Sequence, residues 1–167
     1  MKNNNDRFLT AIFCDDIRQE MGNKLSFMGC YQGELIVPMA PVALSKLCVF
    51  ASILTPKEKP IKSLTLRIVQ DDDIELARMD ITGEGLSEAS QIIDETSTRK
   101  IISTAIVFSP FAIEKNTTLR LKATTEEGEI VGPRLLIKVA VPPESVIQPA
   151  TKSQSAKSKP TKSKAAK

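Results

Sequence analysis

Hydrophobic and polar side chains alternate in three segments of the chain, 64–68, 119–124 and 135–141. Successive side chains of a β-strand point to opposite faces of its sheet, so this period of two predicts strands with one buried and one solvated face. Four further segments are hydrophobic at nearly every position: 8–14, 25–31, 47–54 and 101–108. Such runs are typical of central strands that are covered on both faces.

Clusters of Gly, Pro, Asn and Asp separate these segments and predict turns, for example at 22–23 and 71–73. The alternation changes phase between Ile74 and Ile81, which indicates a β-bulge or a strand that crosses between sheets. Only 86–95 could be helical, with Ser87 as its N-cap. Short strands at regular spacing predict an all-β fold, an antiparallel β-sandwich of about eight strands with at most one short helix.

The chain has 167 residues, of which 41% are hydrophobic, so it can bury one domain core. With six Phe, one Tyr and no Trp, that core must consist mainly of Ile, Leu and Val. We expect no secretory signal and no membrane-spanning helix, and hence a cytoplasmic protein. Cys14, Cys30 and Cys48 lie in hydrophobic runs, where we expect buried, unpaired and unreactive thiols.

Charge is divided unevenly along the chain. Residues 1–150 hold 17 Lys and Arg against all 20 Asp and Glu, a net charge of −3. The last 17 residues hold six Lys and no acid: Lys152, Lys157, Lys159, Lys162, Lys164 and Lys167. This end has almost no hydrophobic residues to bury, so we expect a disordered Lys-rich tail at 142–167. The remaining chain is expected to consist of a flexible N-terminus at 1–7 and a sandwich domain at 8–141.

The sequence DDIRQE, with Asp15, Asp16, Arg18 and Glu20, separates two hydrophobic segments. Its carboxylates could bind calcium together with Asp71–Asp73, but the alternating ligand spacing of a calcium loop is absent and Arg18 would compete with a cation. A polar turn in which Arg18 pairs with a carboxylate fits better. A partner-binding surface is the third interpretation.

The second acidic run consists of Asp71, Asp72 and Asp73. It lies between two predicted strands, and three adjacent acids point in different directions, so a hairpin turn is a better interpretation than a pair of catalytic carboxylates. The chain has no His to activate a Ser or Cys nucleophile and no phosphate-binding glycine loop. We therefore expect no enzymatic activity, no metal site and no cofactor.

One block of the sequence resembles a family of small proteins from bacteria and bacteriophages that has no assigned function. The block is F-C-D-D-I-R-x-E at 13–20, followed by Gly22, Lys24, Ser26, Gly29 and Tyr31. Segments 46–48 and 62–72 also fit, so the resemblance covers most of residues 8–140. It implies a β-sandwich and a phage or prophage context, and it supplies no mechanism.

The sequence leaves three hypotheses about function. The first is a non-enzymatic protein-interaction module whose charged turns or edge strands contact an unknown protein. The second is a nucleic-acid-associated protein that binds phosphates through the six lysines of the tail, weakly and without sequence preference, because no aromatic residue or Arg lies among them. The third is a calcium-responsive sandwich that uses the acidic loops.

Overall fold

The computed structural model describes residues 6–91 and 96–140, with side chains at all of these positions except 87–91. The helix α1 spans Glu84–Ala89. The described residues form thirteen strands: β1 (Phe8–Cys14), β2 (Asp16–Glu20), β3 (Lys24–Met28), β4 (Glu34–Val37), β5 (Val42–Leu44), β6 (Leu47–Pro56), β7 (Ser63–Gln70), β8 (Ile74–Thr82), β9 (Ser90–Gln91), β10 (Arg99–Phe108), β11 (Phe111–Ile113), β12 (Thr117–Thr125) and β13 (Gly128–Val139).

Two main sheets form the body of the protein. One has four strands in the order β1-β6-β10-β9, and the other has five in the order β4-β13-β12-β7-β8. Alternate side chains of both sheets meet in one hydrophobic core, for example Val49 and Ile53 from β6 with Leu119 and Leu121 from β12. The predicted all-β sandwich is therefore confirmed, and its core consists mostly of Ile, Leu and Val.

Three details differ from the sequence-based expectation. The number of strands exceeds eight because several are only two to four residues long. The sheet is not wholly antiparallel, since β4 and β13 pair in parallel. The helix begins at Glu84 and ends at Ala89, so Ser87 lies inside it and does not cap it. The predicted irregularity near Leu76 is confirmed as a bulge, because the register of β7 and β8 shifts between Ile68 and Val69.

The N-terminal side of β1 is held by a buried ion pair. Arg7 was expected in a flexible segment, but its side chain is 2% exposed and its Nη2 lies 2.6 Å from Oε1 of Glu126 in the β12–β13 turn. Nε of Arg7 also donates to Oγ1 of Thr55 at 3.3 Å. Burial raises the pKa of Glu126, but hydrogen bonds from Arg7 and from backbone N–H groups, including that of Lys62, outweigh it and lower the pKa to about 2. This pair joins the two sheets at one end of the sandwich.

The other predicted terminal features fall largely outside the described residues. Residues 1–5 and the tail at 142–167 are among those that the structure does not describe. No helix in the described part of the chain is long and apolar enough to cross a membrane.

Candidate interaction surfaces

The DDIRQE segment forms strand, where the sequence had suggested a turn. Asp16–Glu20 is β2, which pairs with β3 in an antiparallel hairpin whose turn is Met21-Gly22-Asn23. Gly22 and Asn23 both adopt positive φ angles, which Gly and Asn tolerate better than most residues. The interpretation of 15–20 as a turn was wrong because the apolar-to-polar transition marks a change of sheet, and the chain reverses five residues later.

Arg18 pairs with a carboxylate, as predicted; the carboxylate is that of Asp16, and Lys46 is its second basic partner. Nε of Arg18 lies 3.1 Å from Oδ2 of Asp16, and Nζ of Lys46 lies 2.7 Å from Oδ1. Hydrogen bonds from Lys46 and Arg18 lower the pKa of Asp16. The same hydrogen bond raises the pKa of Lys46. Both carboxylate oxygens of Asp16 are thus occupied, which leaves Asp16 poorly placed to bind a partner.

Asp15 has a separate role at the junction of β1 and β2. Its carboxylate accepts a hydrogen bond from the Tyr31 hydroxyl, and its backbone N–H donates to the carbonyl of Met28 at 2.9 Å. Burial, followed by the hydrogen bond to Asp15, raises the pKa of Tyr31. Gly29 adopts a φ of +64°, and a Cβ built there would lie 1.9 Å from Oδ2 of Asp15. Asp15 therefore fixes where the hairpin begins.

The β2–β3 hairpin lies beside the outer face of the four-stranded sheet. Sγ of Cys14 lies 3.5 Å from the carbonyl oxygen of Asp16, and the rings of Phe27 and Phe50 have centroids 5.0 Å apart. Cys14 and Cys48 are opposite each other on β1 and β6 and are fully buried. Burial raises the pKa of Cys14 to about 11 and also raises that of Cys48.

The expectation that all three cysteines are buried is wrong for Cys30. All three thiols are unpaired, and Cys14 and Cys48 are buried as predicted, but Cys30 is exposed. Cys30 follows Gly29 in the segment that leaves the hairpin and belongs to no strand. The predicted central strand at 25–31 is instead the short β3 of the hairpin.

The outer strand of the hairpin presents hydrophobic side chains to solvent. Met21 in its turn is 92% exposed, and Leu25 and Met28 are also exposed. Glu20, another predicted contact residue, is exposed at the end of β2 opposite Lys24. The hairpin therefore carries both charged and apolar groups that a partner can reach.

The Asp71–Asp73 run forms the turn between β7 and β8, as predicted. Oδ1 of Asp71 accepts hydrogen bonds from Oγ1 of Thr117 and from N–H of Thr118, each 2.9 Å long. Asp72 pairs with Arg120, whose Nε lies 2.8 Å from Oδ1. Asp73 is exposed. Two of the three acids therefore bind neighbouring strands of their own sheet.

The two acidic runs do not form a metal centre. Among residues 6–91 and 96–140, no group of three or more His, Cys, Asp or Glu side chains is arranged to hold a metal ion. Asp16 and Asp72 each pair with basic side chains, and Asp71 binds Thr117 and Thr118. The calcium hypothesis gains no support from this geometry.

The outer face of the four-stranded sheet, here called the apolar face, is a further candidate surface. Its side chains form three rows, each with one residue from β1, one from β6 and one from β10 at paired positions. One further side chain comes from the end of β10. They are Phe8, Leu54 and Ile101; Thr10, Ser52 and Ser103; Ile12, Phe50 and Ala105; and Val107. None is charged, and Phe8, Ile12 and Val107 are 46%, 38% and 52% exposed.

The polar row in the middle of the apolar face is internally hydrogen-bonded. Oγ1 of Thr10 donates to the carbonyl of Ser52 at 3.3 Å, and the hydroxyls of Ser52 and Ser103 lie 2.8 Å apart. Hydroxyl groups that already have partners can be covered at a low cost in free energy. The row therefore does not prevent another surface from covering this face.

The hydrophobic sequence of the three strands in this face had predicted burial on both sides, whereas the structure leaves one side open. Segments 8–14, 47–54 and 101–108 have hydrophobic residues at both odd and even positions, and this pattern predicted strands covered on both sides. In the structure only one side of these strands faces the core, and the other forms the apolar face. A continuous hydrophobic strand whose outer side is left largely uncovered by the described residues indicates a docking surface as readily as a central strand.

Comparison with known proteins finds no matching family model and no matching curated protein. The resemblance to the bacterial and phage family therefore stays a prediction. A function for this chain must be inferred chiefly from the geometry of its own surfaces.

Proposed function

We propose that this chain is a non-enzymatic protein-interaction module that docks a second copy of itself through the apolar face. The observation that carries the proposal is that these ten neighbouring outward positions hold no charge, whereas the cation next to them, Arg99, lies at one end of the face with its guanidinium 4.9 Å from the centroid of the Phe8 ring. An antiparallel sheet with one face on the core usually has polar side chains on the other. Here hydrophobic side chains occupy most of those positions, including Phe8, Ile12 and Val107.

Two copies can cover each other's apolar faces without leaving buried polar groups unpaired. The ten residues of the face bring no charge into the contact, so none has to be desolvated at its centre; Arg99 lies at one end of the face, over the ring of Phe8. The Thr10, Ser52 and Ser103 side chains keep their existing hydrogen bonds. Two twisted sheets can stack face to face at a separation of about 10 Å, as they do inside sandwiches.

The size of the face predicts a weak dimer. Three strands about 4.8 Å apart and about seven residues long cover roughly 14 by 24 Å, or on the order of 300 Å². At its hairpin end the face is bordered by Phe27, whose ring centroid lies 5.0 Å from that of Phe50. Stable interfaces bury about 800 Å² on each partner, so contacts of this size belong to the transient class.

Sedimentation velocity over a range of protein concentrations tests the proposal. We expect the full-length protein to shift from monomer to dimer as its concentration rises. Val107→Asp should abolish the shift, because a charge would be buried without a partner. Val131→Asp is the matched control, since Val131 is 58% exposed on the outer face of the other sheet.

The outcomes separate clearly. Dimer formation that Val107→Asp removes and Val131→Asp preserves supports the proposal. A wild-type protein that stays monomeric at every concentration overturns it, as does a dimer that survives Val107→Asp. A phage or prophage context and a cytoplasmic location belong to the same proposal, and the sequence resemblance and the sequence composition are their support.

A further inference from the structure

The outer face of the five-stranded sheet is basic, in contrast to the apolar face. Five cationic side chains occupy neighbouring positions on it and are here called the basic band: Arg67, Arg78, Arg120, Lys122 and Arg134. They come from the four adjacent strands β8, β7, β12 and β13. The inward side chains of these strands, such as Leu66 and Leu121, lie in the core, so the band faces away from it.

The register places these cations directly beside one another. Arg78, Arg67 and Lys122 are paired positions on β8, β7 and β12, which puts neighbouring backbones about 4.8 Å apart. Arg120 and Arg134 are paired in the next row, about 7 Å along the strands. Like charges opposite each other on a sheet destabilise it. The opposed cations therefore lower the stability of the sheet. The alternation of hydrophobic and polar residues needs only polar side chains at these positions and does not require cations.

Acidic side chains compensate only part of the band, and they lie at its rim. Arg78 pairs with Asp80 on the edge strand β8, with Nε and Oδ2 2.9 Å apart. Arg67 pairs with Glu129 at the start of β13, and Arg120 pairs with Asp72 in a turn. Within the described ranges, Lys122 and Arg134 have no ion-pair partner. A fourth acid, Glu75 on the edge strand β8, lies opposite Val69 in the row of Arg120 and Arg134, so five cations and four acids leave a local excess of one positive charge.

The chemistry of the band fits phosphate groups. Four of its five members are arginines, whose planar guanidinium groups match phosphate oxygens in a bidentate manner. Strands β7, β8, β12 and β13 contain no aromatic residue, so bases have nothing to stack on. Contacts of this kind address the backbone of a nucleic acid and carry no sequence information.

The continuation of the chain favours a long, uniform polyanion over an acidic protein surface. The chain leaves the same sheet at the end of β13 and carries six further lysines and no acid from residue 151 onward. We propose that the basic band binds the phosphate backbone of nucleic acid without preference for base sequence. The folded domain thus takes part in a contact that the sequence had assigned to the tail alone.

Fluorescence anisotropy with short labelled DNA duplexes and single strands of two different sequences tests this inference on the full-length chain. The variant Lys122→Gln with Arg134→Gln removes the two cations that have no ion-pair partner within the described ranges. The matched control, Lys24→Gln with Lys115→Gln, removes the same charge from β3 and from the segment between β11 and β12. Thermal melts verify that both variants fold.

We expect the band variant to bind DNA about tenfold more weakly and the control to bind like wild type. Between about 50 and 200 mM salt, the slope of log affinity against log salt should fall by about two in the band variant, one for each phosphate that is no longer neutralised. A chain with all six tail lysines replaced by Gln should still show this difference. Both DNA sequences should bind equally.

Two results would overturn the inference. One is a band variant whose affinity and salt slope equal those of the control. The other is polyglutamate that competes for the protein as well as DNA does at equal charge, which would indicate an acidic protein as the ligand. Self-association is measured separately, so failure here leaves the dimer proposal intact.

Discussion

The outer faces of the two sheets differ sharply, although their inner faces are alike. Both inner faces consist of alternating Ile, Leu, Val and Ala side chains that meet in one core. On the four-stranded sheet, the central outward positions carry Phe50, Ser52 and Leu54. On the five-stranded sheet, the corresponding positions carry Arg67, Arg120 and Lys122.

This difference shows where functional information lies in a sandwich. Folding fixes the chemistry of the inward positions, because each must fill space next to its neighbours. The outward positions need only be compatible with water, so a largely apolar face and a face with opposed like charges both depart from what stability requires. Each departure is therefore a candidate for a contact with another molecule.

The contrast between the faces depends on the sheets staying stacked, and the Arg7–Glu126 pair joins them. Replacing Glu126 with Gln should lower the free energy of unfolding by about 3 kcal/mol, because the buried guanidinium of Arg7 would keep only its longer contact with the more exposed Glu127. Glu127→Gln is the matched control, since its carboxylate lies 3.6 Å from Arg7 and is more exposed. It should cost less than about 1 kcal/mol. Urea unfolding measures both, and equal costs would contradict the assignment.

The same pair predicts a pH dependence with a definite sign. The pKa of Glu126 is about 2 in the folded protein against 4.5 for an ordinary Glu, so the unfolded state binds its proton first as pH falls. Stability from this group is complete above pH 4.5 and is lost progressively between pH 4.5 and 2. The difference in unfolding free energy between wild type and Glu126→Gln should shrink over that range. A difference that stays constant would contradict a lowered pKa.

The extent of the apolar face depends on the β2–β3 hairpin, which covers Cys14 and Cys48 at one end. Gly29→Ala should displace the hairpin, because the added Cβ would lie 1.9 Å from Oδ2 of Asp15. Gly33→Ala is the matched control, since Gly33 also has a positive φ but has nothing within 4 Å of the added Cβ. We expect a loss of about 1 kcal/mol from the control and about 3 kcal/mol from Gly29→Ala.

Thiol labelling of the native protein reports the displacement directly. In a Cys30→Ser background, which removes the exposed thiol, Cys14 and Cys48 should react slowly in wild type and in Gly33→Ala. They should react quickly in Gly29→Ala, because the hairpin no longer covers them. Equal labelling rates in the two alanine variants would show that the hairpin does not depend on this close approach.

Much of the fold follows from local pattern, and the errors have physical reasons. Strands β7, β12 and β13 were predicted because one face alternates cleanly, and the bulge near Leu76 was predicted from a change of phase. The parallel pairing of β4 with β13 was missed, because it joins segments about 100 residues apart and leaves no local mark. The buried Arg7 was missed because its partner, Glu126, is equally distant.

The candidate surfaces were harder to predict than the fold. Charge drew attention to Asp15, Asp16 and Asp71, yet their carboxylates largely bind groups of their own chain. Hydrophobicity at Ile12 and Val107 suggested burial, since a sequence does not show whether a second layer covers a strand. The basic band was hidden by the net charge of −3 of residues 1–150, because composition does not reveal which face carries each charge.

The smallest expected effects come from one substitution at the centre of each face, where two side chains lie opposite each other on neighbouring strands. Ser103→Ala removes the 2.8 Å hydrogen bond to Ser52 on the apolar face and should cost about 1 kcal/mol. Lys122→Thr removes a cation opposite Arg67 on the basic band and should stabilise the fold by up to about 1 kcal/mol. The two central positions thus predict changes of opposite sign.

Salt distinguishes the two mechanisms in urea unfolding experiments. At about 1 M salt the Debye length is roughly 3 Å, shorter than the spacing between strands, so the gain from Lys122→Thr should disappear while the loss from Ser103→Ala stays. Lys138→Thr on the same sheet is the control, because Lys138 pairs with Glu34 and its removal relieves no repulsion. It should give no stabilisation at either salt concentration. If Lys122→Thr destabilises the protein at low salt, the opposed cations of the basic band do not repel one another. The argument that these cations lower stability and therefore indicate a binding face would then fail.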